Sequence, residues 1–168
     1  MADTKKNIKV AAALITQGDK FLIAKRAIGR HLADFWEFPG GKIEKGETAS
    51  EACRREILEE LNCRVSVDSY FLSCHHEYED LTVDLDLYIC HLLDGEEPQL
   101  SDSHSELQFI TADEMDNFGF APADYDFLPK VKDFMKAAER CNQTFEKLKQ
   151  EQLTVLKNIK KCVNIHLL

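Results

Sequence analysis

Glu56, Glu59 and Glu60 fall within the run Arg55-Glu56-Ile57-Leu58-Glu59-Glu60. On a helix that spacing puts three carboxylates on one face, over an arc of about 100°. Like charges so placed repel, at about 0.2–0.5 kcal/mol per exposed pair. A solvated acidic face is the ordinary fate of such a run. Here, however, Ala49, Cys53, Ile57 and Leu61 form an apolar stripe beside the acids. The carboxylates should therefore sit at the edge of a buried face, where shielding raises the cost of uncompensated charge. A divalent cation resolves the conflict. Oxygen-only ligands select hard ions, so Mg²⁺ or Mn²⁺ is favoured over Zn²⁺. Mg²⁺ is usually shared between carboxylates and substrate phosphates. Pro39-Gly40-Gly41 allows a tight turn that brings a carbonyl close to such an ion. Lys25, Arg26, Arg30, His31, Lys42 and Lys45 add a local basic excess that suits a polyphosphate.

The elements that must position these groups follow from periodicity. Residues 8–15 (IKVAAALI) read as a buried strand, and Gln17-Gly18-Asp19 turns the chain into a second strand, FLIAKR. Residues 27–41 read as a loop. Thr48 and Glu51 form a capping box that starts a helix near Ala49. Asn62 stops it, because Asn tolerates the left-handed cap conformation second only to Gly. Strands are expected over about 63–75 and 81–92, a short one at LQFI, and a turn or helical piece at TADEMD. From Tyr125 the pattern is helical. A break is expected at Cys141-Asn142, followed by a last helix with apolar positions at Phe145, Leu148, Leu156, Ile159 and Val163. The interleaved pattern predicts an α+β fold, a mixed sheet with helices on it.

Bulk properties limit the partners. The chain has 168 residues and a formal net charge of −9, which disfavours a nucleic-acid polymer or an anionic membrane as ligand. There is no long apolar run and no signal-peptide pattern at the start, so a cytoplasmic location is expected. The six cysteines are scattered, without a CxxC pair, and are read as reduced and mostly buried.

The run from Gly41 through Glu47 to Arg55-Glu56-Ile57-Leu58-Glu59-Glu60 resembles the Nudix box. The departure is Asn62, where the family has Gly, and the left-handed cap makes that exchange mild. WEFPGGKIEKGET (36–48) and APADYDFLPKVKDF (121–134) are similar to the MutT-like branch. That branch hydrolyses oxidised or cytosine nucleoside triphosphates. The resemblance covers about residues 7–137. It implies a Nudix hydrolase domain over 1–140, with its mixed β-sheet sandwiched between α-helices, and an extra C-terminal helix over 141–168.

The resemblance further implies a Mg²⁺-dependent pyrophosphohydrolase, with Mn²⁺ as an alternative ion. Water would attack an internal phosphorus of a nucleoside triphosphate and release the monophosphate and pyrophosphate. Glu56, Glu59 and Glu60 are expected as metal ligands with the Gly40 carbonyl. Glu47 should support them, and Arg55 should orient them. Relatives add an acid from the loop after the central strands. Here Ser103 precedes His104, and Asp102 is the candidate. For substrate, Arg26 and His31 belong to the basic set, Ile8 and Val10 form an apolar floor, Phe38 reads the base through its backbone and Tyr78 covers it. Asp124 stands where MutT has Asn. A carboxylate accepts only, so 8-oxo-dGTP and (d)CTP-type substrates both fit. Asp84 and Asp86 are further candidates for the pocket. The rival class is a nucleotide sensor that does not cut; such proteins usually lose a box glutamate, and none is lost here. The C-terminal helix suits docking on the core or pairing in a homodimer, leaving monomer and dimer both open.

Overall fold

The computed structural model describes residues 5–165, with side chains to residue 157. Its centre is β1 (Lys6–Gln17). Gly18, at φ +66°, turns the chain into β2 (Lys20–Arg26), as the hairpin reading requires. The rest of β1 runs parallel to β6 (Leu81–Leu92), and β6 pairs antiparallel with β5 (Val65–Glu77). Two very short strands lie inside the segment read as loop. β3 (Trp36–Glu37) pairs with β2, and β4 (Gly40–Lys42) pairs with β1. β7 (His104–Thr111) completes a seven-stranded mixed sheet by pairing with β2.

Strand alternation divides the core. Ala11, Ala13 and Ile15 of β1 face α1 (Ala49–Leu61), where they meet Ala52, Cys53, Ile57 and Leu61. The small alanines let the helix approach the sheet closely. Ala12 and Leu14 point to the opposite side, with Phe21, Ile23, Leu85, Leu87, Phe120 and Phe127. The first turns of α2 (Leu128–Ile165) close that layer through Val131 and Met135. The sheet therefore lies between helices, as expected.

The α1 boundaries match the sequence reading to the residue. Thr48 and Glu51 form the capping box, and Asn62 caps the C-terminus at φ +47°, ψ +34°, donating its N–H to the Leu58 carbonyl. At the far end the expectation fails. Tyr125 caps the end of a short 3-10 helix over Pro122–Asp124, and α2 starts at Leu128. No break occurs at Cys141-Asn142, and one helix continues to Ile165. Neither residue removes a backbone donor, and Ala137, Ala138, Glu139 and Arg140 before them are strong helix formers, so propagation wins. Ile159, Cys162 and Val163 lie outside the residues whose side chains are described. The other five cysteines are free thiols.

Candidate active site

A cavity of about 580 Å³ opens between the β1–β6 sheet and the segment running from β2 through β4. Ile8, Val10, Ala12, Val83 and Leu85 form an apolar wall, and Glu56, Glu60 and Glu37 form an acidic one. Arg26, Arg30, His31 and Lys42 stand around it. Of the basic residues singled out in the sequence, Lys25 instead pairs outward with Glu106, and Lys45 is exposed.

Local backbone explains the acidic wall. A β-carbon on Gly40, at φ +156°, would run into the Ala11 carbonyl, so only glycine lets β4 lie against β1 here. A β-carbon on Gly41 would occupy the space of the Glu56 carboxylate. The paired glycines thus set two close approaches, one of strand to strand and one of strand to carboxylate.

Arg55 organises the acids. Its guanidinium donates to Glu47 Oε1 and Oε2 at 2.6 and 3.1 Å, to Glu56 Oε1 at 2.8 Å and to Glu59 Oε2 at 3.3 Å. It also donates to the Lys42 carbonyl at 2.9 Å. The Arg55 hydrogen bonds, with the Glu44 N–H second, hold the Glu47 carboxyl below its ordinary range. The same partners push the Arg55 guanidinium further up. Part of the repulsion that the sequence pattern assigns to metal ions is therefore relieved by one arginine. As the side chains stand, no three His, Cys, Asp or Glu among the described residues converge to hold an ion. The Glu59 side chain is 59% exposed and does not line the cavity.

Glu60 differs from its neighbours. Its side chain is only 20% exposed, and Oε2 is buried without a hydrogen-bond partner among the described residues. Burial, with His104 partly opposing and Glu37 and Glu56 adding, pushes its carboxyl up to about 7. An orphaned buried carboxylate oxygen, a second carboxylate seated on Gly41 and an all-oxygen donor set suit a hard divalent cation.

Several assignments for the base need revision. Ile8, Val10, Phe38 and Tyr78 do line the cavity, and His31 meets Tyr78 edge-on at 6.0 Å. The Phe38 N–H, however, is donated to Asp124 Oδ1 at 3.1 Å, which leaves its carbonyl for any ligand. Asp124 is buried behind this wall, and desolvation, with Glu37 second, pushes its carboxyl well up. Asp84 and Asp86 lie on the opposite face of β6 from Val83 and Leu85; Asp84 is held there by His75 and Asn7. Asp102 is exposed and does not reach the cavity. From the same loop the structure turns in His104, which lies 3.2 Å from Glu37 Oε1. Glu37 and His104 were missed in the sequence because no spacing links residues so far apart.

Residues 10–130 match the NUDIX domain family. The CTP pyrophosphohydrolase of Escherichia coli K12 is 33% identical over 130 residues, covering 77% of this chain and 93% of that protein. The 8-oxo-dGTP diphosphatase of Proteus vulgaris is 34% identical over 86 residues, covering 51% of this chain and 77% of that protein. A solved structure of the DNA mismatch repair protein MutT from methicillin-resistant Staphylococcus aureus 252 is 37% identical, with a TM-score of 0.61, and covers 80% of this chain and 99% of that one. With the box glutamates, Arg55 and the paired glycines in this arrangement, the chain belongs to the NUDIX domain family and is a Nudix hydrolase.

Proposed function

We propose that this chain is a Mg²⁺-dependent nucleoside triphosphate pyrophosphohydrolase of the MutT-like kind, acting on 8-oxo-dGTP. The carrying observation is one continuous cavity with an apolar base-sized wall at Ile8, Val10 and Val83 and a paired-carboxylate wall at Glu56 and Glu60. Residues 1–140 form the hydrolase domain in this reading, and 141–168 are an extension.

Glu56, Glu60 and the Gly40 carbonyl would hold the metal, with Glu59 joining from the exposed side. A bound divalent ion would neutralise phosphate charge and favour hydroxide over water at neutral pH. Arg55 keeps Glu56 and Glu59 from turning away and holds Glu47 as a charged anchor. Arg26, Arg30, His31 and Lys42 would bind the polyphosphate from the rim. Tyr78 and the apolar wall would cover the base and exclude water. These residues would bind, orient and balance charge with no covalent intermediate, the usual demand of phosphoryl chemistry.

The base preference rests on the likeness to relatives named 8-oxo-dGTP diphosphatase, one of them 34% identical over 86 residues. Asp124 accepts the Phe38 N–H behind the apolar wall and would act on the base only through that backbone. The second reading is (d)CTP or 5-methyl-dCTP, favoured by the likeness to the E. coli CTP pyrophosphohydrolase over most of both chains. The test is a pyrophosphate-release screen of all common (d)NTPs, 8-oxo-dGTP and 5-methyl-dCTP with Mg²⁺ and with Mn²⁺. Release of pyrophosphate fastest from 8-oxo-dGTP is expected. Fastest release from a cytosine nucleotide would move the assignment to the second reading. Binding without cleavage would make the chain a sensor.

A further inference from the structure

The β2–β7 ladder changes register between Lys25 and Arg26, so Arg26 stands opposite His104 and Ser105 is passed over. Bulges of this kind re-aim side chains, often beside sites. This one turns His104 inward until its side chain is 1% exposed. Nε2 then lies 3.2 Å from Glu37 Oε1 and 4.0 Å from Glu60 Oε2, between two carboxylates that both line the cavity. The other Glu37 oxygen accepts from Arg26 Nη1 at 2.5 Å. A carboxylate only accepts, so Nε2 carries the proton and donates to Glu37. His104 itself is not part of the cavity lining.

We infer that His104 is a positioning residue: from behind the cavity wall its Nε2–H fixes Glu37 and separates it from Glu60, which holds the Glu60 carboxylate toward the metal. The inference rests on the proposed role of Glu60 as a metal ligand. Without that N–H, Glu37 and Glu60 face each other as like charges, and the one free to move is Glu60, because Arg26 still anchors Glu37. Groups that orient metal ligands in this way typically govern affinity or rate by about 10–100-fold.

The experiment compares full-length wild type with H104A, H104N and H104Q. Mn²⁺ uptake is followed by electron paramagnetic resonance without nucleotide, steady-state pyrophosphate release is measured with 8-oxo-dGTP and dCTP, and a thermal melt is recorded for each protein. Glutamine places an amide N–H near the position of imidazole Nε2; asparagine places it near Nδ1. H104A and H104N should weaken Mn²⁺ binding by about 10-fold or more and lower kcat, with KM changed by less than about 3-fold. H104Q should recover most of both. Should H104A fail to fold, the contrast between H104Q and H104N decides the matter alone. Equal losses in H104Q and H104N, or Mn²⁺ affinity unchanged in H104A, overturn the inference and leave the metal site standing. A wild-type chain that takes up no Mn²⁺ overturns the metal site and this inference with it.

Discussion

Glu60 is a charge held where charge is disfavoured, and that has a measurable consequence. Its carboxyl rises from 4.5 to about 7 on folding, chiefly by desolvation. Between those values the folded chain holds a proton that the unfolded chain has lost, so stability is full below about pH 4.5 and falls as pH rises through 7. Glu60→Gln should therefore stabilise the metal-free protein at pH 8, by about 1–3 kcal/mol at most, and leave it unchanged at pH 4.5. Melts in a chelator at the two pH values check this; a gain of equal size at both would deny the buried charge. The same substitution should lower turnover by about two orders of magnitude or more, because it removes the proposed metal ligand at constant shape. The neighbouring glycines separate fold from function. Gly40→Ala drives a β-carbon into the backbone at Ala11 and should prevent β4 from pairing, with a large loss of stability. Gly41→Ala first meets the movable head of Glu56. It should keep the fold, with a melting temperature within about 5 °C of wild type, and lose activity by about 10-fold or more. Activity assays with melts on both variants separate the two effects. Glu56, Glu60 and their glycines were legible from local spacing. Glu37 and His104 were not, since β3 and β7 both pair with β2 and so bring them together across 67 positions.

At the scale of elements, α1 is specified almost wholly by its own residues. The capping box satisfies donors at its start, and Asn62 supplies the left-handed residue at its end. Thr48→Ala should cost about 1 kcal/mol in denaturant unfolding. Asn62→Gly should lie within about 0.5 kcal/mol of wild type and keep full activity, because glycine reaches the same dihedrals without strain. An activity loss in Asn62→Gly with stability intact would mean that Asn62 has a task beyond capping. Such local signals explain why the bounds of α1 and the β1–β2 hairpin could be read from the chain. The parallel pairing of β1 with β6 could not, because it joins residues about seventy positions apart and alternation is silent on partner and direction. β3 and β4 escaped for another reason. Two or three residues show no period, and Pro39-Gly40-Gly41 carries turn chemistry even where the backbone is extended.

At the scale of the whole molecule, the last described helix outruns the core. α2 is anchored by Val131 and Met135, both buried, yet every residue from Cys141 to Lys157 is exposed, including Phe145, Leu148, Leu153 and Leu156. Its sequence reads as amphipathic, and that pattern alone suggested either docking on the core or pairing. Among the described residues the first alternative finds no support, because nothing in 141–157 is buried against the domain. The helix there is propagated from the anchored turns. The matched family region also stops at residue 130, short of this segment. A chain ending at residue 140 should therefore melt within about 3 °C of the full chain and keep its kcat/KM, whereas Met135→Ala, which opens a hole in the core, should cost about 2–5 kcal/mol. Sedimentation of the two chains supplies the remaining contrast. If the full chain sediments as a dimer and the shortened one as a monomer of equal activity, the exposed apolar positions serve pairing. If the shortened chain loses both stability and activity, the helix supports the domain after all, and the boundary proposed at residue 140 is wrong.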